Sequence, residues 1–145
     1  MTQKDKELLL KDLTARLPYG VKIELSRWDM GEWISINTTL EPECIEELLN
    51  DEDGDIEVKP YLFPLSSMTE EQEKEIQEIT GNPDYACITR KTDGLELWLN
   101  FIDTDPTIWL DAIFEVQDYL NKNHFDYRGL IPMRLAIDAT NLNIY

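Results

Sequence analysis

Leucines at positions 9, 10, 13 and 17 recur at helical spacing, and beyond Pro18 and Gly20 the apolar residues Val21, Ile23 and Leu25 recur at every second position. That change of period dictates an amphipathic helix followed at once by a half-buried strand, and each needs the other to hide its apolar face. Thr2 and Asp5 form a capping pair at the helix start. Lys22, Glu24 and Ser26 are the polar alternates of the strand, and Ile34 and Ile36 alternate in turn with Ser35 and Asn37. Two strands joined across Asp29-Met30-Gly31 therefore make a hairpin in which each strand is expected to bury one face.

The same reading extends along the chain. Pro42 opens a short helix with Cys44, Ile45, Leu48 and Leu49 inward. Ile56 and Val58 suggest a third strand, which Pro60 and Pro64 place at a sheet edge or end early, because each removes a ladder donor. Thr69 and Gln72 form a capping box for a helix that runs to Gly81, and a second hairpin turns at Asp93-Gly94. Asp105 and Pro106 start a long helix with Trp109, Ala112, Ile113, Val116 and Leu120 inward and Asp111, Glu115 and Asp118 in a solvent-facing row. Leu135 and Ile137 offer a last short strand. The expected fold is α+β, one domain over residues 1–145, with a largely antiparallel sheet built from hairpins and helices packed on one side.

Charge narrows the function. The chain carries 30 Asp and Glu against 13 Lys and Arg, a formal charge of −17. Between Arg27 and Lys59 stand eleven acidic residues and no basic one. Such a balance disfavours direct contact with nucleic-acid phosphates or an anionic membrane and favours a basic protein partner. An apolar content of 42%, with four Trp, six Tyr and four Phe, is enough for a folded core despite the charge. Cys44 and Cys87 lack the companions of a zinc site and read as free thiols in a reducing compartment. The polar N-terminus resembles neither a signal peptide nor a membrane span, so the expected location is cytoplasmic.

No set of residues requires a cofactor, a metal or a catalytic assignment. Asp51, Asp53, Gly54 and Asp55 suggest a calcium loop, but with Gly54 as sixth residue the twelfth is Pro60, where a bidentate Glu is needed, so the segment reads as an ordinary acidic turn. Asp103 and Asp105 could pair around magnesium, yet Asp105 has a sufficient role as a helix cap. His124 is the only histidine, and Asp126, Tyr127 and Arg128 beside it are of kinds that active sites use. A His just past a long helix also serves the negative end of that helix. Trp98 falls on the polar face of its strand, and Trp28 and Trp33 bracket a hairpin turn, where exposure would suit recognition.

Four stretches, Leu8–Leu13, Ala15–Val21, Lys59–Leu62 with Pro64–Glu71, and Asn123–Ile131, carry the runs LLLKDL, ARLPYGV, KPYL with PLSSMTEE, and NHFDYRGLI. Together they resemble an abundant family of small uncharacterised proteins from gut bacteria and their prophages or other mobile elements. The resemblance implies no enzyme activity and no cofactor. The chain departs from the family's pattern at Phe63, in the final segment Asp138 to Tyr145, and in the acidic run 41–57.

Two readings of function follow. In the favoured one the chain is an acidic protein-interaction module that occupies a basic site on a host protein, by imitation of the spaced charge of a nucleic-acid backbone in one version. Its contact residues would be Glu46, Glu47, Asp51, Asp53, Asp55, Trp98, Asp111, Glu115 and Asp118. The alternative is a small enzyme or ligand-binding domain centred on His124, Asp126, Tyr127 and Arg128, with a concave pocket beside the imidazole.

Overall fold

The computed structural model describes residues 1–79, 86–91, 94–99 and 106–145; for residues 86–91, 94–99 and 106–110 it describes the backbone. The first elements are α1 (Gln3–Arg16), β1 (Lys22–Asp29), β2 (Glu32–Thr39), α2 (Pro42–Asn50) and β3 (Ile56–Pro64). They are followed by α3 (Glu70–Ile79), β4 (Ala86–Lys91), β5 (Gly94–Leu99), α4 (Pro106–Lys122), β6 (Phe125–Asp126) and β7 (Ile137–Asp138). The fold is α+β, and its strand pairing is mostly antiparallel. The chain divides into two compact units, one formed by residues 1–63 and 128–145 and the other by residues 64–127.

In the first unit the capping pair forms as expected: Thr2 Oγ1 accepts the Asp5 amide at 3.2 Å and Asp5 Oδ2 accepts the Thr2 amide at 3.0 Å. A 3-10 turn at Leu17–Tyr19 and Gly20, at φ 64°, end the helix. β1 is the middle strand, antiparallel to β2 on one side and to β3 on the other. Leu9 and Leu13 of α1 and Cys44 and Leu48 of α2 close over Ile23, Leu25 and Val58, so both helices lie on one face of this sheet. Complete burial of a Leu or Ile side chain contributes about 1.5–3 kcal/mol, so this seam is the main source of the unit's stability.

β3 departs from expectation. It is an inner strand of nine residues, with β1 on one side and parallel β7 on the other. Pro60 is tolerated because it faces Ile23 in a non-hydrogen-bonded pair, so its missing donor would point away from β1, and β7 on that far side pairs only from Tyr61 and Ile137 onward. A donor missing from a non-hydrogen-bonded pair removes no bond to that neighbour. β7 is the short last strand expected near Ile137, and Ala139 N–H extends it by donating to Leu62 O at 2.9 Å.

In the second unit Thr69 and Gln72 make the expected capping box, with contacts of 2.9 and 3.2 Å, at the start of α3. Ile76 is that helix's one buried residue. β4 and β5 form the second hairpin, in register from Ala86 opposite Leu99 to Lys91 opposite Gly94. Pro106 opens α4, where Val116 is buried and Ala112, Ile113 and Leu120 are half-buried. Gly81, Asp93, Asp103, Asp105 and the side chain of Trp109 lie outside the described residues.

Candidate functional site

The two strands of the first hairpin share one alternating pattern and have opposite fates. Ile23 and Leu25 of β1 are 0% and 2% exposed, whereas Ile34 and Ile36 of β2 are 47% and 48% exposed. The expected burial of one face of β2 is therefore not realised. Ile36 stands directly opposite Leu25 on the helix-bearing face, but β2 is the outermost strand and its side chains extend past the cover of the helices.

The turn geometry fixes which backbone groups of β2 point outward. Met30 and Gly31 have φ of 47° and 96°, as a type I′ turn requires. In such a two-residue hairpin the flanking pair, Asp29 and Glu32, exchanges both backbone hydrogen bonds, and pairs alternate from there. Ile34, Ile36 and Thr38 thus bond to β1, while Trp33, Ser35, Asn37 and Thr39 turn their N–H and C=O groups to the outer edge. Trp28 N–H agrees with this phase, since it donates away from β2, to Asp55 O, at 2.8 Å. Among the described residues no strand lies on that outer side.

The opposite face of the hairpin is polar and cross-linked. Ser26 and Ser35 hydroxyls meet at 2.7 Å, Tyr61 Oη donates to Asn37 Oδ1 at 2.9 Å, and Lys22 Nζ donates to Thr39 Oγ1 at 2.7 Å. Trp28 and Trp33, paired across the strands, pack edge to face with ring centroids 5.5 Å apart and are 44% and 45% exposed. These are the exposed indoles that the sequence placed at the hairpin.

Two of the expected contact carboxylates already have partners. Glu47 takes a two-pronged ion pair from Arg27, at 2.8 and 2.9 Å, and that hydrogen bonding holds its carboxyl below the usual range. Asp51 Oδ1 accepts the amides of Gly54 and Asp55 at 3.0 and 2.9 Å and closes this loop as an acidic turn. Glu46, Asp53 and Asp55 are exposed, as are Asp29, Glu32, Glu41, Glu43 and Glu52 along the same stretch. In the second unit Asp111, Glu115 and Asp118 are exposed on α4. Trp98 has its backbone in β5 opposite Cys87, and its side chain lies outside the described part.

Of the alternative set, His124, Asp126 and Tyr127 lie in the second unit just past α4, and Arg128 belongs to the first. His124 follows α4 with φ 60°, the left-handed turn that ends a helix, and its amide donates to Asn121 O at 3.1 Å. Tyr127 Oη donates to Asn121 Oδ1 at 3.0 Å and accepts from Gln117 Nε2 at 3.2 Å, and Asp126 is buried. In the first unit Arg128 Nε lies 3.2 Å from Asp12 Oδ1, and Arg16 grips the same carboxylate at 2.6 and 3.2 Å. Asp12 and Arg16 are fully buried. Their i,i+4 spacing was visible in the sequence, but only packing reveals the burial.

A cavity of about 310 Å³ beside α1 and β3 is lined by Asp5, Glu57, Lys59, Met133 and Arg134 among others, and includes none of residues 124–128. Glu57 neutralises Lys59 there at 2.8 Å. Among the described residues no group of three or more His, Cys, Asp or Glu side chains is disposed to hold a metal ion, and no helix is long and apolar enough to cross a membrane. Comparison with protein-family models, with curated proteins and with solved structures found no match.

Proposed function

We propose that this protein is an acidic interaction module that binds a basic protein. One observation carries the reading: an outer strand with half-exposed Ile34, Ile36 and Trp33 stands in a stretch, between Arg27 and Lys59, that has eight exposed carboxylates and no basic residue, and Glu47 already occupies the Arg27 guanidinium. Apolar contact supplies affinity and the carboxylates supply steering and choice of partner. On this reading the chain works in the cytoplasm, where the buried Cys44 thiol stays reduced. The sequence segments that resemble mobile-element proteins make its partner a host protein, and a nucleic-acid-binding one if the acidic row of α4 stands in for phosphates.

The test is capture of the tagged protein's partners from host lysate across a salt series. The expected result is a basic protein released as salt rises, because attraction between exposed charges is screened over about 8–10 Å at physiological ionic strength. Combined Glu46→Lys, Asp53→Lys and Asp55→Lys changes, or Asp111→Lys, Glu115→Lys and Asp118→Lys, should abolish retention with the fold intact. Retention unchanged in both sets would refute the reading.

A further inference from the structure

The outer edge of β2 specifies more than charge. We propose that β2 is a strand-docking site: the basic partner adds an extended segment to the sheet, pairing with the outward N–H and C=O groups of Trp33, Ser35, Asn37 and Thr39. The inference rests on the acidic-module reading and names the form its partner must take. Outer strands are usually blunted by proline, lysine, a bulge or a covering element. β2 is eight residues long and contains none of these residues, and its register with β1 runs unbroken from Glu32 to Thr39. It therefore offers about 26 Å of continuous edge.

Side chains set the chemistry of the guest. Residues of an added strand opposite Ile34 and Ile36 would continue the helix-bearing face and be apolar, while alternate residues would lie beside Trp33, Ser35 and Asn37 and be polar or cationic. Carboxylates mark both ends of the edge, Asp29 and Glu32 at the turn and Glu41 and Glu43 just past Thr39. Lys22, bonded to Thr39, and Glu24 are the other charged groups of β1 on the polar face, and they cancel. The favoured guest is thus an extended segment alternating apolar residues with Lys or Arg. A second copy fits poorly, since antiparallel pairing of two β2 strands would set Asp29 and Glu32 of each beside Glu41 and Glu43 of the other, on chains of −17 each.

The probe is a capped eight-residue peptide of alternating Lys and Val, titrated into the full chain, with polylysine as a purely electrostatic control. Saturation should slow exchange of the Ser35 and Asn37 amides about tenfold or more, and a peptide N-methylated throughout, equal in charge, should bind about tenfold more weakly. Ser35→Pro removes one outward donor without touching the ladder to β1, and should weaken the Lys-Val peptide to the same degree while leaving polylysine binding unchanged. If that variant fails to fold by circular dichroism, the N-methylated peptide decides alone.

Equal binding of both peptides, or polylysine binding without Lys-Val binding, would overturn strand addition and leave the acidic-module reading standing. Failure of every cationic probe would sink both. Concentration-dependent dimerisation abolished by Ser35→Pro would give the edge to a second copy and overturn the proposed guest.

Discussion

β1 and β2 are two halves of one hairpin, with the same length and the same alternation, and only β1 is sealed. Leu25 is buried under α1 and α2, while Ile36, its cross-strand partner, is half open to water. The difference teaches that alternation reports which residues share a face and leaves open whether anything covers that face. Position in the sheet decides the latter, and an outer strand keeps both its apolar side chains and a row of backbone groups available.

The contrast can be broken most forcefully on the covered side. Asp12→Ala would leave Arg16 buried beside Arg128 without its carboxylate, and should cost about 3–5 kcal/mol in denaturant unfolding. Leu25→Ala should cost about 2–5 kcal/mol, against under about 1 kcal/mol for Ile36→Ala across the strand. Equal losses at the two positions would mean that β2 is covered after all. Trp33→Ala should fall between, near 1 kcal/mol, through loss of the edge-to-face contact with Trp28 that joins the strands on the polar face.

A smaller effect sharpens the comparison through pH. Tyr145 Oη accepts the Lys22 amide at the start of β1 and donates to Tyr61 O on β3, at 3.1 and 2.6 Å. The residue is 44% exposed, but these two hydrogen bonds hold its hydroxyl against the sheet, and burial pushes the group up to about 12 from an ordinary 10.0. A neutral phenol favoured by folding stabilises fully below pH 10, and that contribution fades as pH climbs from 10 towards about 12. Tyr145→Phe should therefore flatten the alkaline loss of thermal stability, while Ile36→Ala leaves its shape unchanged. A parallel loss in wild type and Tyr145→Phe would detach the phenol from the sheet.

Local chemistry was readable in the sequence. Thr2 with Asp5, Thr69 with Gln72, the turn at Met30-Gly31 and the acidic turn at Asp51 all follow from short-range hydrogen-bonding rules, and each stands where expected. The misjudged elements depend on neighbours distant in sequence. Proline chemistry alone places Pro60 at an edge, because the sequence does not show that residues 137 and 138 return alongside β3 and make it an inner strand. Alternation alone marks Ile34 and Ile36 as core, because spacing cannot say that β2 is outermost. The site shows the same division: the exposed row on α4 and the open indoles were legible, whereas capture of Glu47 by Arg27 and of Asp12 by two arginines was not.

Residue-resolved amide exchange of the free protein tests the open edge most directly. The account predicts an alternating pattern along β2, with the amides of Ile34 and Ile36 protected by β1 and those of Ser35 and Asn37 exchanging close to the rate of exposed backbone. Protection at all four amides would contradict it, because the edge would then already be occupied and no strand could dock there.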